Sequence, residues 1–221
     1  KIQDIKSYLK DKKNLKIAII SGEKSFKKIK GKNFIEKILS KNNNLTFFFK
    51  KNSFPEVNEL KKIITHLQKF RPQLVIAIGG GSVLDYAKLA VLDDFKADLI
   101  KKIKSGKYDL KKKLSKLIAI PTTAGSGAEV TSSAVIYINN VKYSVEGESL
   151  KPENFFLIPE LILSNNYKIK SSSGFDAISQ AVESIISVRS NKQSLLYAKK
   201  SLKISLSNYK NFLKTPSFIN C

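Results

Sequence analysis

The sequence predicts an α/β domain built on a parallel sheet, followed by the start of an all-helical domain. Two observations carry that expectation. Up to residue 164, short apolar runs rich in β-branched residues alternate with amphipathic helical segments, the pattern of strands buried on both faces and joined by helices. From residue 165 the helical period continues with no strand between segments. The expected domains are therefore 1–164 and 165–221.

Each element follows from local pattern. Residues 1–13 read as a short basic helix, and "KIAIIS" (16–21), bounded by Gly22, as a buried strand. "GKNFIEKILSKN" places Phe34, Ile35, Ile38 and Leu39 at helical spacing, and "LTFFFKK" is a second strand. "FPEVNELKKIITHLQKF" repeats apolar residues at Val57, Leu60, Ile63, Ile64 and Leu67, and its helix should stop before Pro72. "LVIAIG" is a third strand and "KLIAIP" (116–121) a fourth, reached through a basic helical stretch around 93–104. "SSAVIYINNVKYSVEG" reads as a hairpin turning at Asn139-Asn140. "SSSGFDAISQAVESIIS" and "SLLYAKKSLKISLSNYKNFL" are helices.

Composition narrows the class. No apolar run reaches the roughly eighteen residues of a membrane span, and "KIQDIKSYLKDKKNLK" lacks the apolar core of a secretion signal. The single cysteine, Cys221, forms no internal disulfide and suits a reducing cytoplasm. There is no methionine, not even an initiator, so the chain is expected to be clipped or incomplete. Lys plus Arg number 40 against 18 Asp plus Glu, a formal charge of +22. Basic stripes neutralise nucleic-acid phosphates, but these lysines are spread along the whole chain with no nucleic-acid motif. The expectation is therefore no nucleic-acid partner and a general, salt-screened attraction for small anions.

Two loops carry the chemistry. In "LVIAIGGGSVLDYAKLAV" a buried strand ends at Gly79-Gly80-Gly81, with Ser82 placed to cap a helix starting at Val83. Consecutive glycines allow positive φ and leave no side chain to obstruct a ligand. Free amides at the helix start then face an anion such as a pyrophosphate. Asp85 lies one turn in and can accept hydrogen bonds. The turn is not a Walker loop, because no Gly-Lys-Ser/Thr follows. In "LIAIPTTAGSGAEVTSSAVI" the hydroxyls of Thr122, Thr123, Ser126 and Thr131 follow the carboxyl end of a strand, where parallel sheets bind ligands.

"GGGSVLDYAK", "PTTAGSGAEVT" and "SGFDAISQAVES", in that order, resemble the iron-containing alcohol dehydrogenase family, and "KYSVEGESLKPENFFLIPELILS" follows the same course. The resemblance implies a Rossmann-like, dehydroquinate synthase-like fold, with NAD or NADP held between the sheet domain and a helical domain that is incomplete in this chain. Gly79, Gly80, Gly81 and Ser82, with Asp85 nearby, would hold the pyrophosphate. Thr122, Thr123, Ser126 and Thr131 would line the nicotinamide and phosphates, Lys142 would reach the ribose, and "PELILS" would pass the adenine. A homodimer and an aldehyde or alcohol substrate are expected with it.

In family members an Asp after the first strand often accompanies NAD preference. Here Gly22 stands at that position with Lys24, Lys27 and Lys28 behind it, which favours NADP, while Glu23 keeps NAD open. Asp176 matches the first ligand of the family's Fe2+ or Zn2+ site. Gln180 stands where a His is usual, and no later histidine appears. The lone histidine, His66, is expected to be structural. "SQAVESIISVRSN" resembles a phosphonate-metabolism branch that reduces phosphonoacetaldehyde to 2-hydroxyethylphosphonate. Two other readings stay open: a sugar-phosphate cyclase on the same fold, which the threonine loop disfavours, and a non-catalytic basic protein that binds nucleic acid.

Overall fold

A computed structural model describes residues 2–39, 42–93, 98–110 and 112–217. The chain divides into two compact units: Lys1–Pro121 with Ala128–Ile158, and Thr122–Gly127 with Pro159–Cys221.

In the first unit β1 (Lys16–Gly22), β2 (Asn44–Lys50), β3 (Leu74–Gly79), β4 (Lys116–Pro121) and β7 (Asn154–Phe155) form one sheet in the order β2-β1-β3-β4-β7. Every pairing is parallel, with Ser21 beside Ile78 and Gly79 beside Pro121 at the carboxyl ends. The interiors of the central strands are almost wholly apolar, as strands covered on both faces require; Ile17, Ile19, Ile20, Ile76, Ile78 and Ile120 are all completely buried. The helices of this unit are α1 (Ile2–Leu9), α2 (Glu23–Lys28), α3 (Gly31–Ile38), α4 (Val57–Phe70), α5 (Gly81–Ala90) and α6 (Leu99–Ser105).

Most local expectations are met. α4 closes at Arg71, whose left-handed backbone (φ 53) ends the helix ahead of Pro72. β5 (Ser133–Ile138) and β6 (Val141–Glu146) pair antiparallel, and Asn139 and Asn140 both take positive φ (51 and 63), as a two-residue turn between twisted strands requires. Part of the basic stretch around 93–104 lies outside the described residues; α6 begins at Leu99.

Three elements were not anticipated: α2, β7 and the five-residue helix at Pro159–Leu163. α2 has six residues with Phe26 as its buried anchor, too short to show a period. β7 has two residues, held because Glu153 accepts from the Leu117 amide at 2.6 Å while Phe156 donates to Ala119 at 3.0 Å. Such a strand has no alternation to read.

The second unit contains α7 (Pro159–Leu163), α8 (Tyr167–Ile186) and α9 (Lys192–Lys214). Asn166 caps α8 by accepting from the Ile169 amide, and Asn191 with Ser194 forms a reciprocal capping box on α9. α8 and α9 meet where Gly174 faces Tyr209, whose hydroxyl donates to the Ser171 carbonyl at 2.8 Å.

Candidate functional site

The strand order reverses beside β1: the chain leaves β1 toward β2 and leaves β3 toward β4. Loops that diverge from adjacent strand ends leave a crevice at the carboxyl edge of the sheet. The Ser21 hydroxyl, fully buried, donates to the Ile78 carbonyl at 2.6 Å and ties the two strand ends together there.

β3 then runs into the glycine turn and α5. Gly80 is the N-cap in an extended conformation (φ −75, ψ −178), and no side chain caps the helix. Its carbonyl accepts from Val83 at 2.9 Å and from Leu84 at 3.3 Å. The first-turn amides of Gly81 and Ser82 have no carbonyl within the helix to bond, the arrangement in which a helix start can receive an anion. Two expectations need correcting. Ser82 lies inside the first turn of a helix that starts at Gly81, so its hydroxyl is past the capping position. None of Gly79, Gly80 and Gly81 takes positive φ. What Gly79 supplies is room: a β-carbon there would lie 2.4 Å from Val83 Cγ2.

One turn into α5 a polar cluster faces β5. Lys88 is completely buried, and its Nζ donates to Thr131 Oγ1 and to the Ser133 carbonyl, each at 2.9 Å. Burial pushes the Lys88 amine down to about 8, with Asp85 and Glu129 opposing that shift. Asp85 accepts from the Val135 amide; burial raises its carboxyl to about 6 against the pull of Lys88, that amide and Lys142. Asp85, Thr131 and Lys142 thus form one electrostatic group with the glycine-turn helix. Lys88 was not foreseen as a member. The signal was present, since Lys88 follows Asp85 by three residues and shares its helical face.

The threonine loop belongs to the second unit. Thr122 is buried, with its carbonyl accepting from Asn165 Nδ2 at 2.6 Å; Thr123 and Ser126 are half-buried. Gly125 passes so close to α8 that a β-carbon would lie 2.4 Å from the Ser173 carbonyl oxygen. Asp176 and Gln180 are exposed on α8, where Gln180 Nε2 donates to Asp176 Oδ2 at 2.9 Å. That amide occupies one carboxylate lone pair and turns an N–H, not an oxygen, toward it. Among the described residues no group of three or more His, Cys, Asp and Glu side chains could hold a metal ion. The pair alone does not fit an iron or zinc centre, which takes three or more donors.

The profile of the iron-containing alcohol dehydrogenases matches residues 1–159. This chain belongs to that family. The aldehyde-alcohol dehydrogenase of Streptococcus pneumoniae is 32% identical over 177 residues, 74% of this chain and 20% of its own length. The 1-propanol dehydrogenase PduQ of Salmonella typhimurium is 30% identical over 168 residues, 75% of this chain and 42% of its own. A structure of the sulfoacetaldehyde reductase of Bifidobacterium kashiwanohense with NAD+ superposes with a TM-score of 0.86 at 24% identity, covering 99% of this chain and 58% of that one. The chain therefore spans well under two thirds of the relatives it matches.

Where family members often carry an Asp after the first strand, Gly22 ends β1 and Glu23 opens α2. Glu23 is bound by Lys27 Nζ at 2.7 Å, and this hydrogen bond and charge, with Lys51 and Lys24 assisting, hold its carboxyl below the usual range. His66 bonds Thr46 Oγ1 through Nε2 at 2.9 Å and meets the Phe48 ring edge-on, a packing role within the first unit.

Proposed function

We propose that the chain supplies the dinucleotide-binding part of an NAD(P)H-dependent oxidoreductase that reduces an aldehyde to a primary alcohol or runs the reverse reaction. The observation that carries this reading is the uncapped start of α5 at the point where the strand order reverses. There Gly79, Gly80, Gly81 and Ser82 present backbone amides to a pyrophosphate, and the helix dipole adds to the attraction. Thr131 and Lys142 stand on or beside the hairpin that packs on α5, and the family resemblance adds the hydroxyls of Thr122, Thr123 and Ser126 as dinucleotide contacts. Bound nicotinamide would supply the hydride; the protein's part is placement and electrostatics.

NADPH is favoured over NADH. No carboxylate ends β1, and the one that follows, Glu23, already engages Lys27, so repulsion of a 2′-phosphate is weak. Asp176 would offer one oxygen to a divalent iron or zinc. The lysine excess suits a small anionic aldehyde, and together with the resemblance of "SQAVESIISVRSN" it favours phosphonoacetaldehyde, reduced to 2-hydroxyethylphosphonate. No helix among the described residues is long and apolar enough to cross a membrane, and a cytoplasmic location is part of the proposal.

The test is direct. Binding of NADPH and NADH to the chain is measured by calorimetry, and oxidation of each is followed with propanal, sulfoacetaldehyde and phosphonoacetaldehyde on the whole protein. Binding of neither dinucleotide at about millimolar concentration would sink the proposal, because sites of this kind hold their ligands far more tightly.

A further inference from the structure

We infer that Lys88 is a positioning residue for dinucleotide binding: its buried ammonium group holds Thr131 with the hydroxyl hydrogen turned outward, so that Thr131 acts as a donor to the bound phosphates or nicotinamide. The inference rests on the dinucleotide reading and adds a residue and a chemical direction to it.

The geometry fixes that direction. An ammonium group has three donors and no acceptor. The 2.9 Å contact between Lys88 Nζ and Thr131 Oγ1 therefore makes the threonine oxygen the acceptor and leaves its own O–H to point elsewhere. A second Lys88 hydrogen bond, to the Ser133 carbonyl at 2.9 Å, anchors the ammonium so that it cannot swing away. Thr131 is half-buried, so part of the residue reaches the surface. A donor suits a ligand whose nearest groups are phosphate oxygens and a carboxamide oxygen.

The charged neighbours of the ammonium are Asp85 on its own helix and Glu129 from the segment before β5; Lys142 of β6 acts on Asp85 in turn. Loss of the Lys88 proton near pH 8 gives the nitrogen a lone pair, so the Thr131 hydroxyl can reverse and donate inward. Dinucleotide affinity should then weaken as pH rises through that value. Fold stability runs the other way: an amine held below 10.5 in the native state is more weakly protonated there than in the unfolded chain. Stability therefore rises with pH from about 8, and weakened binding in that range is not unfolding.

Lys88→Met, Thr131→Val and the double variant are compared with the parent chain by calorimetric titration with NADPH on either side of pH 8, with thermal melts alongside. At neutral pH each single variant should bind about tenfold more weakly, the double variant no more weakly than either, and neither single variant should show the parent's alkaline loss of affinity. If the melt shows Lys88→Met unfolded, Thr131→Val decides, since a pH profile that still bends near 8 overturns the role of Lys88. Additive effects in the double variant, or parent-like affinity in a folded Lys88→Met, overturn it as well. Absence of binding by the parent chain would overturn the dinucleotide reading itself, and this inference with it.

Discussion

Asp85→Asn should remove a pH-dependent penalty from the fold. Burial against the edge of β5 raises the Asp85 carboxyl from 3.8 to about 6, despite the pull of Lys88, the Val135 amide and Lys142. The native state holds that proton more tightly than the unfolded chain does. The stabilising contribution is therefore complete below 3.8 and is lost as pH rises through about 6. The interval corresponds to about 3 kcal/mol at most, and the half-buried setting of the side chain reduces it. Asparagine keeps the shape and a carbonyl oxygen for Val135 but has no proton to lose. Lys88 loses its nearest counter-charge in the variant, so part of the gain is offset at neutral pH.

The assay is urea unfolding of both proteins from about pH 4 to about pH 7, read by circular dichroism. The stability of the variant relative to the parent should climb by about 1–3 kcal/mol across that range. A difference that stays constant within about 0.5 kcal/mol would show that Asp85 titrates normally, and the burial argument would fail.

Two further substitutions test the threonine loop and the helix that follows β1. Gly125→Ala places a β-carbon 2.4 Å from the Ser173 carbonyl oxygen, which is backbone and cannot swing aside; a loss of about 1–3 kcal/mol is expected, and an unchanged melting temperature would refute the close approach. Lys27→Ala releases Glu23 from its 2.7 Å ion pair, so the ratio of NADPH to NADH affinity should fall by about two- to fivefold in calorimetry; an unchanged ratio would detach Glu23 from cofactor choice.

What could be read from the chain in advance follows physical lines. The strands from "KIAIIS", "LVIAIG" and "KLIAIP" were legible because burial on both faces demands unbroken apolar runs, the half-buried edge strand "LTFFFKK" because its aromatic run suits a pleated surface, and the hairpin because Asn-Asn tolerates positive φ. β7 was not legible, since its two residues are held by Glu153 reaching across to Leu117, a long-range contact with no local pattern. Three glycines after a strand located the turn into α5 but misled about its geometry. They suggested left-handed backbone and a Ser82 cap, whereas the helix starts one residue earlier and Gly79 is needed for space beside Val83.

The polar face of α5 was hidden for a different reason. β5 pairs with β6 along one edge only, so its other edge offers Ser133 O, Val135 N and Tyr137 N with no strand to receive them. Pro55 takes the Tyr137 amide at 2.7 Å, and α5 takes the other two through Lys88 and Asp85. Two strand residues span about 6.8 Å, whereas three helical residues rise about 4.5 Å. A short carboxylate paired with a long lysine makes up that difference, while two side chains of equal length would not. The two charges on this face of the helix thus stand in for a missing strand. The same contacts orient Thr131, so the feature that closes the sheet edge also sets the direction of a hydroxyl beside the proposed dinucleotide, and only the fold could show that one pair of residues serves both ends.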